Sequence, residues 1–175
     1  MKISTWNVNS VNARIEHLEK FIKKDQSDIY LLQELKTIED GFPKEIIKNS
    51  GYHSYVNGQK AWNGVAILSK EKLDITNTSI PKYDDPNARF IETEIELKKI
   101  KKLIKLINIY LPNGNPIETE KFDYKIEWMK KFNDYIESLI NKKLPIIIGG
   151  DFNVIPNDED VYSQKILKMM HVRIH

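Results

Sequence analysis

The sequence predicts an α/β domain, and three observations carry that prediction. A strand-like segment near the N-terminus runs directly into an amphipathic helical segment. The middle of the chain is a succession of turn-bounded segments of strand type. A long helical segment then returns the chain to an apolar strand, "PIIIGG", which ends in a glycine pair at residues 149 and 150. With 175 residues, 41% of them hydrophobic and 30% charged, the chain has the length and composition of a single soluble globular domain with a sizeable core.

Taken in order, "KISTW" (2–6) is a predicted strand and "SVNARIEHLEKFIKK" (10–24) a predicted helix, with Val11, Ile15, Leu18, Phe21 and Ile22 on one face. "DIYLLQE" (28–34) is short and apolar and turns polar only at its C-terminal tip, the pattern of a buried strand. "PKEIIKNSG" (43–51) opens on proline and closes on glycine, which marks a short helix. From there "YHSYVNG", "NGVAILS", "LDITNTS", "RFIETEIEL" and "KKLIKLINIYL" follow one another with turn residues between them. The last two alternate with period two, so the expectation is an antiparallel meander. "LPNGNP" (111–116) ends it. Behind the acidic start "ETE", Phe122, Ile126, Met129, Phe132, Ile136 and Leu139 recur at helical spacing. No repeat, low-complexity stretch or linker interrupts residues 1–160, which form one predicted unit, with residues 161–175 as a separate tail.

The absence of cysteine excludes disulfide partners and thiolate metal sites, so any metal must sit on oxygen or imidazole. The N-terminus lacks the continuous apolar run of a signal peptide, and no segment reaches membrane-spanning length. A cytoplasmic protein without membrane contact is therefore expected. Net charge is +2, and of 27 basic residues only Arg14, Arg89 and Arg173 are arginine, a mild excess that suits a polyanionic partner without identifying one. The four histidines, His17, His53, His171 and His175, read as structural or solvent-exposed. The sequence leaves the oligomeric state open.

Five polar groups fall where predicted strands end: Asn7 after "KISTW", Glu34 after "DIYLLQ", Tyr110 after "IKLINI", and Asp151 with Asn153 after "PIIIGG". Sheets of this kind bind ligands at strand ends, so the five are expected to meet in one cleft. The chemistry they suggest is metal-assisted attack on a phosphodiester. Mg²⁺ takes one or two carboxylates together with waters and substrate oxygens, which suits Glu34 as ligand and Asp151 as the group that orients and deprotonates the attacking water. Asn7 and Asn153 can hold metal-bound waters, the nucleophile or a phosphate oxygen without adding charge, and Tyr110 can donate its phenolic proton to a phosphoryl oxygen. Singly, each has a plainer reading: a capping asparagine, a solvated glutamate, a core tyrosine with its hydroxyl at the rim, an Asx-turn at Asp151. Their joint placement favours the site.

The segments "WNVNSVNAR", "LLQELK", "GYHSYVNGQKAWNGVAILSK", "NIYLPNGNP", "KFDYKIEWM" and "IIGGDFNVIP", in this order and at this spacing, resemble the exonuclease III type of AP endonuclease over residues 1–160. The resemblance implies the endonuclease/exonuclease/phosphatase superfamily and its four-layer α/β sandwich, two mixed β-sheets flanked by helices, of which this chain holds the N-terminal portion and lacks the C-terminal strands. It implies DNA repair with Mg²⁺, or Mn²⁺ in its place: incision 5′ to abasic sites and 3′-to-5′ removal of nucleotides from double-stranded DNA. By the same resemblance metal binding falls to Asn7, Glu34, Asp151 and Asn153, and catalysis to Tyr110, Asp151 and Asn153. Lys36 matches the family's Gln-Glu-Thr-Lys lysine, whereas Leu35 stands where threonine is usual.

The resemblance also implies a longer chain, continuing through an aspartate-bearing strand to a Ser-Asp-His motif whose histidine contacts the scissile phosphate. "SQKILKMMHVRIH" (163–175) does not resemble that continuation and reads as a frameshifted tail. The other reading is an amphipathic helix with Ile166, Leu167, Met170 and Ile174 on one face. The expectation is a repair nuclease by ancestry, impaired by truncation. Two alternatives stand beside it. One is an inactive remnant with at most weak DNA binding through the lysines and Trp62 of "NGQKAWNG". The other is a phosphodiesterase of another branch of the superfamily, acting on lipids or small molecules.

Overall fold

A computed structural model describes residues 1–97, 102–155 and 157–160. Two four-stranded mixed sheets pack face to face. The first contains β1 (Ile3–Asn7), β2 (Ile29–Gln33), β3 (His53–Asn57) and β4 (Val65–Ser69) in the order β1-β2-β4-β3. The second contains β5 (Ile75–Asn77), β6 (Phe90–Leu97), β7 (Lys102–Tyr110) and β8 (Ile146–Asp151) in sequence order. β1 pairs with β2 and β7 with β8 in parallel, and the remaining neighbours are antiparallel. Helices α1 (Ile15–Asp25) and α2 (Lys44–Asn49) cover the outer face of the first sheet, and α3 (Glu120–Asn141) covers that of the second. This is the expected four-layer sandwich.

The five expected strands of the meander all form, but not as one meander. β3 and β4 join the first sheet and β5 to β7 the second. The reason lies in β4, which bonds β2 on one edge and β3 on the other and is buried along its whole length. Alternation marks which side of a strand is buried, not which distant strand it joins.

The helix expected from residue 10 begins as a 3₁₀ turn, Asn12–Arg14, and becomes α-helical at Ile15. Val11, Leu18 and Ile22 are buried, with Ile15 and Phe21 against them, as their spacing predicts. The face of α3 forms largely as expected, with Phe132 and Leu139 buried and Met129 and Ile136 packed against them, but Lys125 and Trp128 are buried as well, while Ile126 is 43% exposed. Trp128 is central to that face. It stacks on Phe132 at 5.3 Å and donates its N–H to Asp85 at 2.9 Å, a partner a buried indole requires.

Between the sheets lies a buried amide pair. Gln33 Nε2 donates to Asn108 Oδ1 (2.7 Å), and Asn108 Nδ2 donates to the carbonyls of Leu32 (3.0 Å) and Ala66 (2.8 Å). These bonds cross the apolar interface of Leu31, Val65, Ile67, Ile95 and Leu106 and set one sheet against the other. His17 and His53 are exposed, as expected. Among the described residues no helix is long and apolar enough to cross a membrane. The readings of residues 161–175, His171 and His175 included, lie outside the described residues.

Candidate active site

Register brings the site together. Asn7 is the partner of Gln33 at the end of the β1–β2 ladder, and Tyr110 is the partner of Asp151 at the end of the β7–β8 ladder. Because each pair is parallel, its two tips share one end of their sheet, and the contact between Asn7 and Asp151 brings the two ends together. Just beyond them the backbone turns sharply: Glu34, Lys36 and Asn153 have φ of 54°, 55° and 46°. Left-handed backbone at non-glycine residues is uncommon and collects where side chains must be aimed rather than merely packed.

Asn7 is the hub. Its Nδ2 donates to Glu34 Oε1 at 2.8 Å and to Asp151 Oδ2 at 2.7 Å, so one amide joins carboxylates belonging to different sheets. Tyr110 donates its hydroxyl to Glu34 Oε1 at 2.9 Å, and Lys36 Nζ stands 3.0 Å from Glu34 Oε2. The Asn153 backbone N–H donates to Asp151 Oδ1 at 2.9 Å, whereas its side-chain nitrogen donates to the Leu111 carbonyl at 2.7 Å. All five expected residues thus converge, with the Asn153 amide propping the adjoining loop rather than reaching the carboxylates.

Burial alone would push the Glu34 carboxyl up, but hydrogen bonds from Asn7, Lys36 and Tyr110 outweigh it and hold the group below the usual range. The Tyr110 phenol goes the other way. Burial first, then its hydrogen bond to Glu34 and that carboxylate's charge, push it up to about 12. The Arg89 guanidinium, 4.9 Å from the Tyr110 ring, opposes the rise only in part. Tyr110 therefore keeps its proton throughout the neutral range.

A cavity of about 600 Å³ opens beside the network, walled by Trp6 and Phe152 and edged by Asn7, Asn113, Asp151 and Asn153. Glu34 and Tyr110 do not line it; Asn7 and Asp151 connect it to them. Sequence reasoning missed Arg89, Lys125 and Asn113. Lys125 had a signal: it falls at helical spacing with Trp128, Phe132 and Leu139, a basic residue in an apolar row.

The donor set suits a hard divalent cation. Its atoms are the carboxylate oxygens of Glu34 and Asp151, joined by the Asn7 amide nitrogen, and the Lys36 ammonium against Glu34 Oε2 marks where that carboxylate already accepts positive charge. Among the described residues no group of three or more acidic or histidine side chains gathers to hold a metal. Among the described residues Glu34 and Asp151 are the carboxylates of this network, the sparse set that leaves room for waters and phosphate oxygens.

The profile of the Endonuclease/Exonuclease/phosphatase family matches residues 4–171. The chain belongs to this family. Exodeoxyribonuclease III of Haemophilus influenzae is 36% identical over 163 residues, covering 92% of this chain and 60% of the relative. A 3′-5′ exonuclease from Neisseria meningitidis superposes with a TM-score of 0.87 at 32% identity, over 99% of this chain and 66% of that one. An AP endonuclease from Archaeoglobus fulgidus gives 0.88 at 31% identity, over 100% and 66%. This family member thus spans about 60% of the length of the curated relative it matches.

Proposed function

We propose that the site hydrolyses DNA phosphodiesters with Mg²⁺ or Mn²⁺, as an AP endonuclease and 3′-5′ exonuclease on duplex DNA. The observation that carries this reading is the Asn7 amide bridging Glu34 and Asp151 at 2.8 and 2.7 Å at the edge of an open cavity. Glu34 and Asp151 would hold the cation through their carboxylate oxygens, with Asn7 Nδ2 and the Asn153 backbone N–H orienting them. Bound there, it would supply Lewis acidity for a phosphate oxygen and for a water.

The chain's own groups account for the proton movements. Asp151 is anchored through both oxygens by neutral N–H donors, from Asn153 and Asn7, and retains lone pairs to accept a proton from an attacking water. Tyr110 carries a proton that it can donate to oxygen as negative charge builds on the phosphoryl group. Asn113 and Asn153, on the cavity edge, are suited to hold phosphate without adding charge. The relatives' names support DNA as the substrate, as does a related Neisseria 3′ phosphatase solved with a product DNA hairpin at 32% identity.

The test is incision of a duplex carrying one abasic site, with Mg²⁺, with Mn²⁺ and with chelator. Metal-dependent incision is expected. Asp151→Ala should lower it by about a hundredfold or more. Incision that survives chelation, or that Asp151→Ala leaves intact, would overturn the proposal.

A further inference from the structure

α3 buries one charged side chain. Lys125 is 2% exposed and lies in the row of Trp128, Phe132 and Leu139 that faces the second sheet. Among the described residues no carboxylate lies within ion-pair distance of its ammonium. The ammonium donates instead to two backbone carbonyls, Asn113 O at 3.2 Å and Asn153 O at 2.8 Å. Burying an ammonium without a carboxylate partner is unfavourable, and departures of this kind concentrate where function requires them.

The two carbonyls belong to different loops. Asn113 lies in the loop after β7 and Asn153 in the turn after β8, and both residues line the cavity. Leu111 N–H donates to the Asp151 carbonyl at 2.9 Å and receives Asn153 Nδ2 on its own carbonyl, so the loops are already tied at their roots. Lys125 ties them further out. Gly114 makes this possible: with φ of 73°, it is placed so that a Cβ would stand 2.5 Å from Lys125 Cδ and 2.9 Å from its Cβ. The glycine of "LPNGNP" leaves the space that the lysine of "FDYKIE" fills.

We propose that Lys125 is a positioning residue of the candidate site: reaching from α3, its ammonium clamps the two loops by the Asn113 and Asn153 carbonyls and fixes where these asparagines stand at the cavity beside Asp151. The clamp is independent of the substrate; only its effect on turnover rests on the phosphodiesterase reading. Lys125→Met keeps the length and packing of the stem but leaves both carbonyls without the donor. Gly114→Ala pushes on the lysine from the other side.

Hydrogen–deuterium exchange of the intact chain reads the clamp directly. In Lys125→Met the amides of residues 111–115 and 151–155 should exchange about tenfold faster or more, with β2 and β4 unchanged. Unchanged exchange in both loops, or a uniform rise along the chain, would overturn the proposal. If Lys125→Met does not fold, Gly114→Ala is judged by the same pattern. On abasic duplex with Mg²⁺, Lys125→Met should lower kcat by about tenfold or more while KM stays within about threefold. Wild-type turnover in Lys125→Met would also overturn it. Should the unmodified chain fail to incise, the nuclease reading falls and exchange alone decides the clamp.

Discussion

β2 and β8 are apolar strands of similar character, "IYLLQ" and "IIIGGD", yet every residue of β2 is buried and every residue of β8 is only half-buried. The difference is neighbours. β2 lies between β1 and β4, whereas β8 pairs with β7 alone and, like β1, forms an outer strand of its sheet among the described residues. Part of the site stands on this more open flank, at the tips of β1 and β8. There is less side-chain packing here to hold a side chain in place, so hydrogen bonds do it: Asn7 between two carboxylates, Asn153 on Leu111, Lys125 on two carbonyls. The centre of the sandwich is held by packing around one buried amide pair, Gln33 with Asn108, whereas the site is held by directional polar contacts.

The largest expected effect tests whether the open flank has a rigid point. At Gly150 φ is 143° and a Cβ would stand 2.0 Å from the Ile109 carbonyl oxygen. Gly150→Ala should destabilise by about 3 kcal/mol or more, or prevent folding, as read by urea denaturation. Next comes the packing contrast itself. Leu31→Ala in the centre should lose about 2–5 kcal/mol, and Ile147→Ala on the flank about 1–2 kcal/mol. Equal losses would break the comparison.

Acid sensitivity gives a third, smaller effect. Glu92 is fully buried in the second sheet. Burial raises its pKa, but bonds from Thr76, Tyr135, Lys105 and Asn77 outweigh this and hold the carboxyl below its ordinary 4.5. A group lowered by folding stabilises above its unfolded value, and that contribution disappears as pH falls through the folded one. Stability should therefore decline below about pH 4.5. Glu92→Gln should flatten that decline at a loss on the order of 1–2 kcal/mol at neutral pH, seen in melts across pH. The smallest effect belongs to Phe152, 43% exposed beside the site. Phe152→Ser should change stability by less than about 0.5 kcal/mol while lowering the binding of a hydrophobic dye to the cavity that Phe152 walls.

What the sequence determined by itself was local. The switch from apolar to polar at four strand ends is written in neighbouring residues, so Asn7, Glu34, Tyr110, Asp151 and Asn153 were legible as a group. So was the apolar face of α1. Tertiary structure alone decided what depended on distant partners. Turn-bounded segments in residues 52–111, the last two alternating, identified five strands, but only the pairing of β4 with β2 assigned them to two sheets. The burial of Trp128 on α3 goes with its Asp85 partner, which helical spacing does not encode. The bridge from Asn7 to Asp151 spans 144 positions of chain, and the clamp at Lys125 needs two loops to arrive together. Periodicity records which side of an element is buried, whereas a hydrogen bond between remote residues exists only once folding has brought both ends within reach.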